Sequence, residues 1–134
     1  MSKPRFNWWS FALNMIRDYP ARRAEYRARY ERGDARPLPM QEQKEFIAVH
    51  KAIESTKAME DGRLRIRLVD ITLWKKTNTI AGAAMLLNIS EETAKRYRWQ
   101  FVLLVGHTYG FLSDEEYQEL AARRKESKNG PARA

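Results

Sequence analysis

The side chains in this chain best suited to chemistry are hydrogen-bond donors and acceptors rather than nucleophiles. They cluster in TIAGAAMLLNISEETAKRYRWQF, residues 79–101. Arginine and lysine donate to guanine edges and to phosphate oxygens, hydroxyls bond to either, and a carboxylate accepts from a cytosine amine. On a helix begun at Ser90, the three-four spacing turns Ala94, Tyr97 and Phe101 inward. It turns Glu91, Glu92, Lys95, Arg96 and Trp99 outward, with Arg98 at the flank. That outward set, with Ser90 and Thr93 at the helix start, is the chemistry of reading bases and holding phosphates. Lys75, Lys76 and Thr79, just upstream, are candidates for phosphate contacts. Glu91 and Glu92 first satisfy the helix dipole, and either carboxylate is also a candidate acceptor for a cytosine amine.

Other chemistries find no foothold. The chain has no cysteine, so disulfides and thiolate metal sites are excluded. His50 and His107 are too few and too far apart for a metal site. His50, near Val49 and Ile53, is expected as a partly buried structural imidazole. Gly106 and Gly110 lack the spacing of a phosphate-binding loop, and Asp114-Glu115-Glu116 belongs to a helix cap. Neither a catalytic constellation nor a cofactor is expected, so an enzyme reading has nothing to stand on.

The donors need a helix held against a second one. A helix-turn-helix requires a short first helix, a sharp turn and a second helix free to enter the major groove. Ala81, Gly82, Ala83 and Ala84 supply small residues where two backbones must approach, and Ile80, Leu87 and Ile89 anchor the pair. Asn88 tolerates the left-handed backbone the turn demands. Ser90 follows as an N-cap. An αα-hairpin with a capped second helix is also common in helical proteins generally.

Around this unit the pattern is all-α. Trp8, Phe11, Ala12, Met15 and Tyr19 predict an amphipathic helix over 7–18, and Pro20 sits well at the start of a second helix carrying Arg22, Arg23, Tyr26, Arg27, Arg29 and Tyr30. Tyr26 and Tyr30 suit either a helix seam or base stacking. GDARPLP, residues 33–39, is the clearest loop. A third helix runs from Met40 to about Met59, with Phe46, Val49 and Ile53 inward, and Asp61-Gly62 ends it. RLRIRLVDITLWKK alternates like a strand, yet Leu64, Leu68, Ile71 and Leu73-Trp74 fit a helix and no partner strand exists. Ser113 to Glu116 form a capping box for a short last helix. The expected organisation is an N-terminal helical arm at 1–33 for assembly or partner contact, a DNA-binding domain at 40–125 with its helix-turn-helix at 79–110, and a flexible tail at 126–134. Trp8, Trp9 and Phe11 read first as core, and second as a surface for dimerisation or for contact with RNA polymerase.

The composition, 43% hydrophobic and 31% charged, suits one globular domain of 134 residues. No apolar run nears the roughly 20 residues of a membrane span, and no signal sequence is recognisable, so a cytoplasmic protein is expected. The net charge of +8 raises the prospect of a polyanionic partner. Its distribution says more. Residues 1–36 hold nine Lys/Arg against four Asp/Glu, and residues 62–100 hold eight against three. The rest of the chain is balanced or slightly acidic, so one of the two basic blocks coincides with the two-helix unit.

TIAGAAMLLNISEETAKRYRWQF resembles the helix-turn-helix of the promoter-reading C-terminal domain of bacterial sigma factors. It has the Ile-Ala start, an Asn-Ile-Ser turn where Gly-Ile-Ser is usual, and Thr-Ala where Thr-Val is common. From NWWSFALNMIRDYP through LVDITLWKKTNTIAGAAMLLNIS to the end of the long helix, roughly 7–112, the chain resembles small phage-encoded regulators of the RinA/ArpU type. That resemblance implies a sequence-specific transcriptional regulator of phage genes acting in a bacterial host cell, with double-stranded DNA read by helix 91–110. RNA polymerase and a second copy of the chain are the further partners considered. Two other readings stay open: a phage small terminase subunit that packages DNA as a ring, and a protein-interaction module whose basic faces meet an acidic partner.

Overall fold

A computed structural model of the chain describes residues 6–34, 36 and 38–122; the tail expected at 126–134 lies outside them. The regular structure of the described residues is all helical, with no strand among them, and no helix among them is long and apolar enough to cross a membrane.

Helix α1 spans Trp9–Glu31 and runs straight through Pro20, where a new helix was expected. Proline lacks the N–H that would bond to the carbonyl four residues back, and inside a helix that loss is costly. Here the orphaned acceptor is the Ile16 carbonyl. The indole Nε1–H of Trp74 donates to it at 2.6 Å, so a side chain distant in sequence replaces the missing bond. Without that replacement, a buried carbonyl would stand unsatisfied.

Pro39 precedes α2 (Met40–Lys57), which buries Ala48, Val49, Ala52 and Ile53. Asp61 then takes a left-handed conformation at φ 59°, and α3 (Gly62–Val69) begins. Gly62 is pressed against the backbone carbonyls of Thr56 and Lys57, leaving no room for a Cβ. Where a regular helix was expected to continue, α3 widens into a π-turn over Asp70–Trp74, closed by Lys75 N–H bonding to Asp70 O at 2.7 Å. The extra residue in the turn rotates the later side chains away from the face a regular helix would give them. Leu68 and Ile71 line one apolar cluster, while Leu73 and Trp74 reach the other.

Helices α4 (Ile80–Leu87) and α5 (Glu91–Tyr109) complete the arrangement. Gly110 turns the chain at φ 114°, and a further helix follows over 114–122. The expected capping box is formed: Ser113 Oγ accepts from Glu116 N–H at 3.1 Å, and the Glu116 carboxylate accepts from Ser113 N–H at 2.9 Å. His107 holds this last helix down, through the Asp114 carboxylate at 3.1 Å and the Tyr117 ring stacked at 4.6 Å.

The larger cluster joins Ala12, Met15, Ile16 and Tyr19 of α1 to Val49 and Ile53 of α2 and to Phe101, Val102 and Val105 of α5. Trp8 packs flat on Gly106 and stacks on Phe111 at 5.4 Å. The first half of α1, as far as Tyr19, therefore forms one wall of the core, while no residue of α1 beyond Tyr19 is buried. Fully buried Met15 and Ile16 each contribute roughly 1.5–3 kcal/mol of apolar burial. His50, expected to be partly buried, lies on the surface, where its Nδ1 bonds with the Tyr19 hydroxyl at 3.1 Å. Tyr26 lies along the α1–α2 seam against Phe46, while Tyr30 stands in solvent.

Candidate nucleic-acid interface

The second cluster is small. Leu68 and Ile71 meet Ala83 and Ala84 of α4 and Ala94 and Tyr97 of α5. Three of its six buried residues are alanines, and this lets α4 and α5 approach closely where they cross. Of the expected small run, Ala83 and Ala84 take the crossing, whereas Ala81 faces solvent. Thr79 caps α4 by accepting from Gly82 N–H at 3.1 Å. Asn88 adopts the left-handed conformation at φ 59°. The next amide, Ile89 N–H, reaches back to Ala84 O at 3.0 Å, closing a Schellman-type turn. Ser90 Oγ then accepts from Thr93 N–H at 3.0 Å and donates to Thr93 Oγ1 at 2.9 Å, so both hydroxyls are engaged in starting α5.

Helix α5 is held from beneath. The Tyr97 hydroxyl donates to Asp61 Oδ2 at 3.2 Å, and the Arg65 guanidinium lies 4.3 Å from the Tyr97 ring centre while reaching Gln100 at 2.9 Å. These bonds fix the register of α5 against the start of α3. With Ala94, Tyr97 and Phe101 buried as expected, the first turns of α5 can show only their other side.

On that side Glu91 and Glu92 are exposed, and Lys95 and Arg96 are half-exposed. Lys95 is tethered to Glu91 at 3.3 Å, and Arg96 lies 5.5 Å from the Tyr97 ring centre. Both heads remain at the surface, where their present partners can be exchanged. Trp99 differs from its expected outward position. It is half-buried, its ring 6.3 Å from that of Trp9, because α1 covers this side of α5. Beyond it, every residue from Phe101 to Gly106 is buried. The accessible N-terminal stretch of α5 therefore ends near Trp99, and only residues 107–109 at its far end are half-exposed again.

Lys75 and Lys76 stand exposed on the turn before α4, Lys75 paired with Asp70 at 3.1 Å and Lys76 in a left-handed conformation at φ 54°. Arg63 and Arg67 are exposed one turn apart on α3 and make no ion pair among the described residues. They escaped notice as candidates because in sequence they read as part of an alternation; only the helical spacing puts them together. Arg98 is half-buried, and burial followed by the charge of Arg17 pushes its guanidinium below the usual arginine range. No family model matches the chain, and no curated protein or solved structure is significantly similar to it.

Proposed function

We propose that the protein is a sequence-specific DNA-binding transcriptional regulator in which α4 and α5 act as a helix-turn-helix. The observation that carries this reading is the asymmetry of α5: its first turns offer Glu92, Lys95 and Arg96 to solvent, whereas Phe101 to Gly106 are buried without a break. Recognition helices work in this way, since only their N-terminal turns reach base edges. Lys75, Lys76 and the capped start of α4 hold phosphate, and the resemblance of 79–101 to the promoter-reading sigma-factor domain makes a promoter of a phage genome the expected target. Ser90, Thr93 and Arg98 take positioning or phosphate roles, and Trp99 supports the helix from its side.

Selection of bound duplexes from random DNA tests the reading directly. A defined consensus is expected, with Arg96→Ala and Lys95→Ala each weakening that site by about 1–3 kcal/mol. Lys75→Ala should instead weaken all duplexes alike and flatten the salt dependence. If both α5 variants bound the selected site like wild type, α5 would not be the reading helix.

A protein-contact reading has one observation in its favour. Met85 and Leu86 of α4 are 83% and 57% exposed, an apolar pair beside the turn. A chain that binds no duplex at low salt, and that captures an acidic protein instead, would favour that reading. Solution mass separates the regulator from a packaging ring, which requires a large closed oligomer.

A further inference from the structure

The first basic block of the chain lies outside the α4–α5 unit. Six of its nine cations are arginines of residues 20–36, set against three carboxylates. Beyond Tyr19, α1 buries no residue, yet it continues for about three turns to Glu31. Four of the six arginines are tied down. Arg22 pairs with Glu45 and Asp18, Arg29 with Glu25, and Arg32 and Arg36 with Asp34. Arg29 also donates to the Arg36 carbonyl, and Tyr26 packs on Phe46 at 4.7 Å. Arg22, Tyr26 and Arg29 thus fasten one face of the helix to α2 and to the turn that follows it.

The two remaining arginines, Arg23 and Arg27, stand four residues apart. Both are exposed, and neither has an ion pair or hydrogen bond among the described residues. Tyr30 follows three residues later and is 86% exposed. At 3.6 residues per turn, the three side chains fall within about 60° of one another around the helix and span roughly 10 Å along it. Tyr26, one turn before Tyr30, shows where such a ring goes when it serves packing. Tyr30 serves none.

Each group of this stripe constrains a ligand. Two unneutralised guanidiniums one turn apart favour an anion repeated at short intervals, as along a phosphate backbone. A tyrosine ring held in water offers a flat face on which any base can stack. An acidic polypeptide would satisfy the arginines and leave the ring unused. A duplex would supply phosphates, but its bases are closed within their own stack. A single strand leaves both backbone and base faces open.

We infer that Arg23, Arg27 and Tyr30 form a site for single-stranded nucleic acid, with phosphates on the two arginines and a base on Tyr30. The site shares no residue with the α4–α5 unit and does not rest on the duplex-binding reading. It takes strands without regard to sequence, since stacking and phosphate contacts serve all bases. DNA and RNA strands share this chemistry, so both are tested.

Binding of labelled oligothymidylate and oligouridylate is measured by fluorescence anisotropy on the full chain. The variants are Tyr30→Ala, Tyr30→Phe, Arg23→Gln and Arg27→Gln, with Lys51→Ala on an exposed face of α2 as a control. Tyr30→Ala is expected to bind the strand about tenfold more weakly, while Tyr30→Phe keeps the ring and binds like wild type. Arg23→Gln and Arg27→Gln should each lower the slope of log affinity against log salt by about 0.7, with Lys51→Ala unchanged. All these side chains are exposed, so melting temperatures should stay at the wild-type value. Affinity for a duplex selected from random DNA should also hold. This pattern on either strand supports the site, and the tighter strand names its source. Failure of wild type to bind either strand would overturn the proposal, as would wild-type affinity in Tyr30→Ala. Equal losses on the selected duplex would make the stripe part of a duplex footprint instead. A chain that bound polyglutamate through the two arginines, but neither strand, would carry a site for an acidic protein.

Discussion

The two halves of α5 live under different rules. From Phe101 to Gly106 the helix is buried on all sides by α1, α2 and the residues after Gly110, among large side chains such as Met15, Ile16 and Trp8. From Glu91 to Gln100 it is buried along one narrow stripe, against alanines. The first half is thus held mainly by caps and directed bonds (Ser90, Asn88, Tyr97 to Asp61), and the second by apolar area. Functional side chains can be changed in the first half without touching the core. Position is nevertheless inherited from the second, because one continuous helix transmits it.

The widest test of this contrast removes α1. Deleting residues 1–33 strips Ala12, Met15, Ile16 and Tyr19 from Val49, Val102 and Val105. Removing each large apolar side chain costs about 2–5 kcal/mol, and Met15, Ile16 and Tyr19 together match the roughly 5–15 kcal/mol by which domains are stable. The truncated chain should show little helix by circular dichroism. A folded truncation would mean that the α4–α5 half stands alone and that the larger core is dispensable.

A smaller effect is expected within the lesser cluster. Ala84 is 3% exposed where α4 crosses α5, so Ala84→Leu should overpack the crossing and cost about 3 kcal/mol. Hydrogen exchange would then quicken in α4 and in the first turns of α5 before it quickens around Val105. Equal quickening throughout would show that the two halves unfold as one unit and dissolve the contrast.

Next comes the bond that ties α1 to the π-turn. Trp74→Phe keeps a ring but removes the N–H that serves the Ile16 carbonyl, at a cost of about 2 kcal/mol. Pro20→Ala restores a backbone N–H to the same acceptor, so in that background Trp74→Phe should cost clearly less. Thermal melting of the four proteins closes the cycle. Additive costs would mean that Trp74 matters only as packing.

Local chemistry was legible in the sequence. The caps at Ser90 and Ser113, the left-handed Asn88 and the inward face of Ala94, Tyr97 and Phe101 depend on neighbours within a few residues, and all are present. The illegible features depend on distant partners. Pro20 reads as a helix start until Trp74 is known to stand beside Ile16. Trp99 reads as outward until Trp9 is brought against it. The π-turn has neither glycine nor proline to announce it. It lies where the chain passes between the two clusters, with Val69 and Leu73 in one and Leu68 and Ile71 in the other.

The smallest expected effect concerns the turn that sets the angle between α4 and α5. Asn88 sits at φ 59° and ψ 46°, its N–H turned back to Ala84 O and Met85 O. An L-residue there carries strain of roughly 1–2 kcal/mol, which asparagine partly relieves through its short polar side chain and glycine avoids altogether. Glycine also loses more chain freedom on folding, by roughly 0.5–1 kcal/mol. The two terms nearly cancel, so Asn88→Gly should shift stability by no more than about 0.5 kcal/mol, whereas Asn88→Ala should lose about 1 kcal/mol. Both are to be read from urea unfolding at constant m. Since Asn88 contributes no atom to the face of Lys95 and Arg96, the ratio of selected to unrelated duplex binding should hold in Asn88→Gly. A changed ratio at unchanged stability would mean that the turn sets how deeply α5 reaches, and that recognition is tuned by an angle as well as by side chains.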